Sequence, residues 1–136
     1  MLAAALMGGG YAEAAFAPGA YRGETRSERP LSFAASKEKR SVTGFKIRVR
    51  YRCTDADSFW TTEDGFPAIR ISRGRFTGKF QTRDESYSAT IRGSFDGRAA
   101  TGFYTAERHY DRDGNLDPRG RVTCSVTKTA WTAKRR

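Results

Sequence analysis

Phe45-Lys46-Ile47-Arg48-Val49-Arg50-Tyr51-Arg52-Cys53 places an apolar residue or cysteine at every odd position and a base at every even one. Successive side chains of a β-strand leave the sheet on opposite sides. The stretch therefore reads as one strand with a buried face and a cationic face. Four like charges at two-residue spacing lie roughly 6.5 to 7 Å apart along the strand. They cannot be buried unpaired, so Lys46, Arg48, Arg50 and Arg52 must face water, acidic neighbours or an anionic ligand. Two readings stay open. One is a solvated outer face paired with cross-strand Asp or Glu. The other is a linear anion track, where arginine forks suit phosphate or carboxylate.

Strand-like segments extend to either side of this stretch. Gly19–Thr25 and Leu31–Ala34 are short strands, and Ser36–Arg40 reads as a hairpin turn leading into a long strand from Val42 to Cys53. Thr54–Gly65 is acidic and lacks a sustained period, so a long loop is expected, with Phe59 and Trp60 at its centre. That aromatic pair either caps the core or offers a sugar-stacking platform. Ala68–Ser72 and Tyr87–Arg92 alternate again. Gly74-Arg75-Phe76-Thr77-Gly78 and Gly93-Ser94-Phe95-Asp96-Gly97 echo each other in a meander that continues through Ala99–Glu107. A polar loop is expected over Arg108–Arg121. In the last strand, Val122, Cys124 and Val126 share one face while Trp131 falls on the other, which calls for a β-bulge near Thr127-Lys128. The sum is about eight strands and no helix: an all-β antiparallel sandwich, with a small closed β-barrel as the alternative.

A chain of 136 residues suits one domain with its own core. Its formal charge is +10, with 19 Arg and 6 Lys against 15 acids, and the mean hydropathy is −0.70. Such a charge attracts nucleic acid, acidic polysaccharide or anionic surfaces and is silent about fold. No run approaches the roughly 18 apolar residues that span a membrane. Residues 1–17 resemble the back half of a secretory signal peptide, with small-x-small patterns at Ala12-Glu13-Ala14 and Ala15-Phe16-Ala17. The β domain then covers 18–136. Removing residues 1–14 takes away Glu13 and no base, which raises the formal charge from +10 to +11. An even cysteine count in an exported chain predicts a Cys53–Cys124 disulfide and a secreted or periplasmic location.

The spacing of Gly19-x-Tyr21-x-Gly23-x-Thr25, Ile69-x-Ile71-x-x-Gly74-x-Phe76-x-Gly78, Ile91-x-Gly93-x-Phe95, Ala100-x-Gly102, the two cysteines and Trp131-Thr132-Ala133-Lys134 resembles a class of small secreted bacterial proteins common in actinobacteria. The resemblance implies export and an all-β fold, and it brings no catalytic residues. The chain departs from the class after its second cysteine. There the class has an acidic-Ser-Gly turn, and here Ser125-Val126 follows Cys124.

Chemical motifs are sparse. His109 is the only histidine, no G-x-S-x-G elbow or phosphate-binding loop occurs, and one histidine with two distant cysteines is no zinc set. No cofactor or metal is expected. Asp111-Arg112-Asp113-Gly114-Asn115-Leu116-Asp117 alternates acids around a glycine, as a calcium loop or as Asp-Gly turn chemistry. The acids of loop 54–65 (Asp55, Asp57, Glu63 and Asp64) are the best source of a glycosidase carboxylate pair. The expectation is a monomeric, non-enzymatic binding module whose partner is an anionic polymer or envelope component, with nucleic acid a weaker candidate. A small carbohydrate-active enzyme using loop 54–65 and a purely structural secreted protein are the alternatives.

Overall fold

The alternation at Phe45–Cys53 is realised in a 13-residue strand, Ser41–Cys53, on which the others assemble. The structure, a computed structural model, describes residues 16–136. They form nine strands: β1 (Gly19–Thr25), β2 (Pro30–Ser36), β3 (Ser41–Cys53), β4 (Ser58–Glu63), β5 (Ile69–Ser72), β6 (Arg75–Gln81), β7 (Tyr87–Asp96), β8 (Ala99–Tyr110) and β9 (Val122–Arg135). Most of the leader-like segment lies outside the described residues. Its last two residues belong to the domain: Phe16 is buried against Phe95, and the Ala17 N–H donates to the Gly97 carbonyl.

β3 is hydrogen-bonded along both edges. One edge pairs with β2 from Ser41 to Ile47 and then with β9 at Arg52 and Cys53. The other pairs with β5 at Ser41 and Val42 and with β4 from Ile47 to Arg52. β4 and β5 thus run end to end beside β3. The break between them contains Gly65, at φ +78°, and Pro67, which has no N–H for a ladder. From β5 the antiparallel pairings pass through β6, β7, β8, β9, β1 and β2 and return to β3. One sheet is doubled over one core in a sandwich-like fold whose two layers are joined through the ladders.

The inner faces supply that core. Phe45, Ile47, Val49 and Tyr51 of β3 are each at most 2% exposed. Full burial of such side chains is worth about 1.5–3 kcal/mol each. Tyr21 stacks on Phe33, and Phe33 and Phe45 both meet the edge or face of Trp131. The β9 parity problem is solved by a bulge. Ala106 faces Val126 but Tyr104 faces Thr129, so the extra residue lies at Thr127-Lys128, and Trp131 returns to the buried face.

Two segments differ from the sequence expectation. Half of Thr54–Gly65 is a strand: after a turn at Thr54–Asp57, β4 (Ser58–Glu63) pairs with β3. Its period is hidden because the inward residues include Thr61 and Glu63 while Trp60 faces out. Likewise Arg108, His109 and Tyr110 continue β8, and the loop starts at Asp111.

Cys53 and Cys124 are directly opposed across β3 and β9, with Cα atoms 3.9 Å apart, and form a disulfide. The bond closes a separation of 71 residues. The double variant Cys53→Ala/Cys124→Ala should lose about 4 kcal/mol of unfolding free energy on the chain-entropy account, read from the denaturant midpoint. An unchanged midpoint would contradict that role.

Candidate functional site

Register decides what the β3 cations face. Lys46 lies opposite Ser32 on β2. On β4, Arg48 is opposite Thr62, Arg50 opposite Trp60, and Arg52 opposite Ser58. Arg48 Nη1 donates to Thr62 Oγ1 at 3.3 Å, and Arg50 Nη2 donates to Ser58 Oγ at 2.9 Å. Cross-strand pairing with Asp or Glu does not occur: among the described residues no carboxylate lies within ion-pair distance of Lys46, Arg48, Arg50 or Arg52. Hydroxyl partners orient the guanidinium groups and leave their charge uncompensated.

The β1–β2 hairpin gives this face its shape. β2 leaves β3 after Ile47, and β1 leaves β9 after Trp131. β3 and β9 pair again only at Arg52–Cys53 and Cys124–Ser125. Between the hairpin tip and the disulfide lies a groove of about 180 Å³, lined by Arg48, Arg50, Arg52, Trp60, Ser125 and Thr127 among others. The Arg29 guanidinium, from the hairpin tip, sits 4.5 Å from the centre of the Trp60 ring. Five bases and one half-exposed indole thus gather on one side of the domain. The Phe59-Trp60 pair divides: Phe59 stacks inward on Tyr51 at 5.1 Å, and Trp60 faces the groove. Sequence reasoning missed Trp60, Arg29 and the β9 hydroxyls as neighbours of the cations.

A second polar cluster is internal. Glu63, 6% exposed, accepts a hydrogen bond from Tyr51, lies 3.4 Å from the hydroxyls of Tyr87 and Tyr104, and pairs with Arg108 at 2.7 Å. Arg108 also donates to Tyr110 and lies over the rings of Tyr51 and Tyr87. These contacts satisfy a buried carboxylate and lock β4 to β3, β7 and β8. The available signal was polar residues at inward-facing positions of otherwise apolar strands: Tyr51, Tyr87, Tyr104 and Arg108.

The acids of segment 54–65 are not gathered. Asp55 Oδ1 accepts from the Asp57 N–H within the turn, whereas Glu63 lies at the far end of β4 and inside the core. A six-residue strand spans about 20 Å, well beyond the spacing of a glycosidase pair. Asp111 Oδ1 accepts from the N–H groups of Asp113 and Asn115, which is turn chemistry. Among the described residues no three His, Cys, Asp or Glu are grouped to hold a metal ion, and no helix is long and apolar enough to cross a membrane. His109 lies on the outer face between Glu107, at 3.2 Å, and Thr123, at 3.1 Å. Comparison with protein-family models, curated proteins and solved structures finds no match.

Two outcomes follow for the internal cluster. Breaking the pair with Glu63→Leu or Arg108→Met should cost about 3–5 kcal/mol, and the double variant should lose less than the sum, by urea unfolding. Burial first, then Glu63, pushes the Tyr51 hydroxyl above 10.0. Burial first, then Tyr87 and Glu63, does the same to Tyr104. The unfolded chain therefore releases these protons before the folded one. Their contribution is fully present below about pH 10 and falls as pH rises beyond it. Thermal melts should show base-induced destabilisation above that point, lessened in Tyr51→Phe.

Proposed function

We propose that this is an exported, monomeric, non-enzymatic binding module that holds an anionic polymer of the cell envelope along the outer face of β3. One observation carries the reading: four bases in a row face hydroxyls and an indole, and among the described residues no carboxylate lies within ion-pair distance of them. A chain of carboxylates or phosphates supplies the missing charge, and arginine forks bind such groups in two-point fashion. The groove beside Trp60 gives the polymer a place to bend inward. Trp60 and Arg29 supply an aromatic and cationic flank. The disulfide supports export, since such bonds persist in oxidising compartments. The likeness to small secreted actinobacterial proteins agrees with this and adds no activity. Phe16 in the core favours cleavage after Ala14. The mature chain should begin at Ala15 by N-terminal sequencing, and a start at Pro18 would contradict the packing of Phe16.

Binding to a teichoic-type polymer should fall steeply with salt, because each neutralised charge releases counterions. Arg48→Gln/Arg50→Gln should weaken binding and flatten the salt slope by about two charges. Arg119→Gln/Lys37→Gln, removing two exposed bases elsewhere, should do so less. Arg135 is no suitable control, since its guanidinium donates to the carbonyls of Pro18 and Arg136. Equal losses from both pairs would reduce the effect to net charge. Tighter binding to DNA than to envelope polymer at matched salt would replace the proposed partner.

A further inference from the structure

The outer face of β6–β9 holds a second concentration of cations that the β3 groove does not use. In register, Thr77, Arg92, Phe103 and Ala130 lie side by side across the four strands. Arg75, Ser94, Thr101 and Thr132 form the next row, and Lys79, Thr90 and Thr105 the one beyond Thr77. Two adjoining clefts of about 470 and 510 Å³ run over these rows and share Arg92 and Phe103. Both fall in the size range of small-ligand sites, roughly 300–1,000 Å³.

Beneath the 470 Å³ cleft Gly93 lies opposite Gly102, with the rings of Phe76 and Trp131 packed directly against them from the core side. A Cβ at Gly102 would overlap the Arg92 carbonyl oxygen, and one at Gly93 would overlap the Phe76 ring. Both glycines are at inward-facing positions, so what they secure is close packing of β7 and β8 on the core beneath the cleft. Phe103 is 40% exposed at the centre of the face, and Lys128 Nζ lies 4.1 Å from its ring. Arg75, Lys79, Arg92 and Lys128 are exposed, no Asp or Glu lines either cleft, and among the described residues none of the four is in an ion pair. Three acids border the rows: Glu24 on β1, across from Thr132, Asp96, two residues beyond Ser94, and Glu107, two residues beyond Thr105 and paired with His109.

A ligand on this face meets an aromatic ring, a fringe of threonine hydroxyls, and guanidinium and ammonium groups on adjoining rows. An acyl chain would leave the hydroxyls and charges unused. A neutral sugar would leave the charges unused. An acidic sugar matches all three: its C–H face suits Phe103, its hydroxyls suit Thr77 and Thr101, and its carboxylate or sulfate suits Arg92 and Lys128. We propose that the β6–β9 face is a second ligand site, which takes a uronate or sulfated sugar residue of a glycan chain. It shares no residue with the β3 groove, so either site can fail without the other.

Amide NMR of the full chain, titrated with a heparin tetrasaccharide and with maltotetraose as the uncharged control, tests this. Saturable shifts should centre on Gly93, Gly102 and Phe103 and persist in Arg48→Gln/Arg50→Gln. Arg92→Gln should weaken the apparent affinity about tenfold, and Phe103→Ala about fivefold. Both positions are exposed, so the remaining spectrum should keep its dispersion. Shifts at the glycines without shifts on β3 would support this site as independent of the β3 groove. Silent Gly93 and Gly102 amides, equal shifts with maltotetraose, or loss of the shifts in Arg48→Gln/Arg50→Gln would overturn it.

Discussion

β3 exchanges backbone hydrogen bonds with β2 and β9 on one edge and with β5 and β4 on the other. Its register therefore fixes four other strands directly. A slip of one residue would exchange its faces, placing Lys46, Arg48, Arg50 and Arg52 in the core and Phe45, Ile47, Val49 and Tyr51 in water. Burying four unpaired bases costs far more than any alternative pairing returns. The strict alternation thus works as a register lock. The same charges that are proposed to hold an anionic polymer exclude the wrong fold.

The disulfide and the short β1–β2 hairpin turn that lock into a cleft. The hairpin fills the space between β3 and β9 only as far as Leu31–Ile47 and Thr25–Trp131. Beyond it the two long strands are brought back together at Cys53–Cys124. The unfilled interval is where Arg48, Arg50 and Trp60 look onto β9. Lengthening the hairpin would close the groove, and losing the bond would let its walls part. Inside the domain, Glu63 and Arg108 hold the β4 side of the same strand, so the track is supported from both edges.

Much of this was legible in the residues. The Phe45–Cys53 alternation gave the strand and both of its faces, and the parity change between Val126 and Trp131 gave the bulge. What escaped had a physical cause. β4 carries Glu63 inward and Trp60 outward, the reverse of the usual pattern, because the carboxylate finds Arg108 and three tyrosine hydroxyls inside. Arg108 and Tyr110 looked like loop residues for the same reason. The groove itself depends on long-range register among β1, β2, β3 and β9. No local window of sequence contains that information.

The central claim is that the position of the β3 bases, and not the sum of charge, makes the binding surface. A variant with unchanged net charge isolates it: Arg48→Gln and Arg50→Gln combined with Glu38→Gln and Asp113→Asn, both acids being exposed and lying in turns away from Arg48 and Arg50. Its affinity for a teichoic-type polymer, measured by calorimetry beside the parent chain at one salt concentration, should fall by about a hundredfold if each guanidinium contributes a charge-assisted contact. Affinity equal to that of the parent would contradict the account.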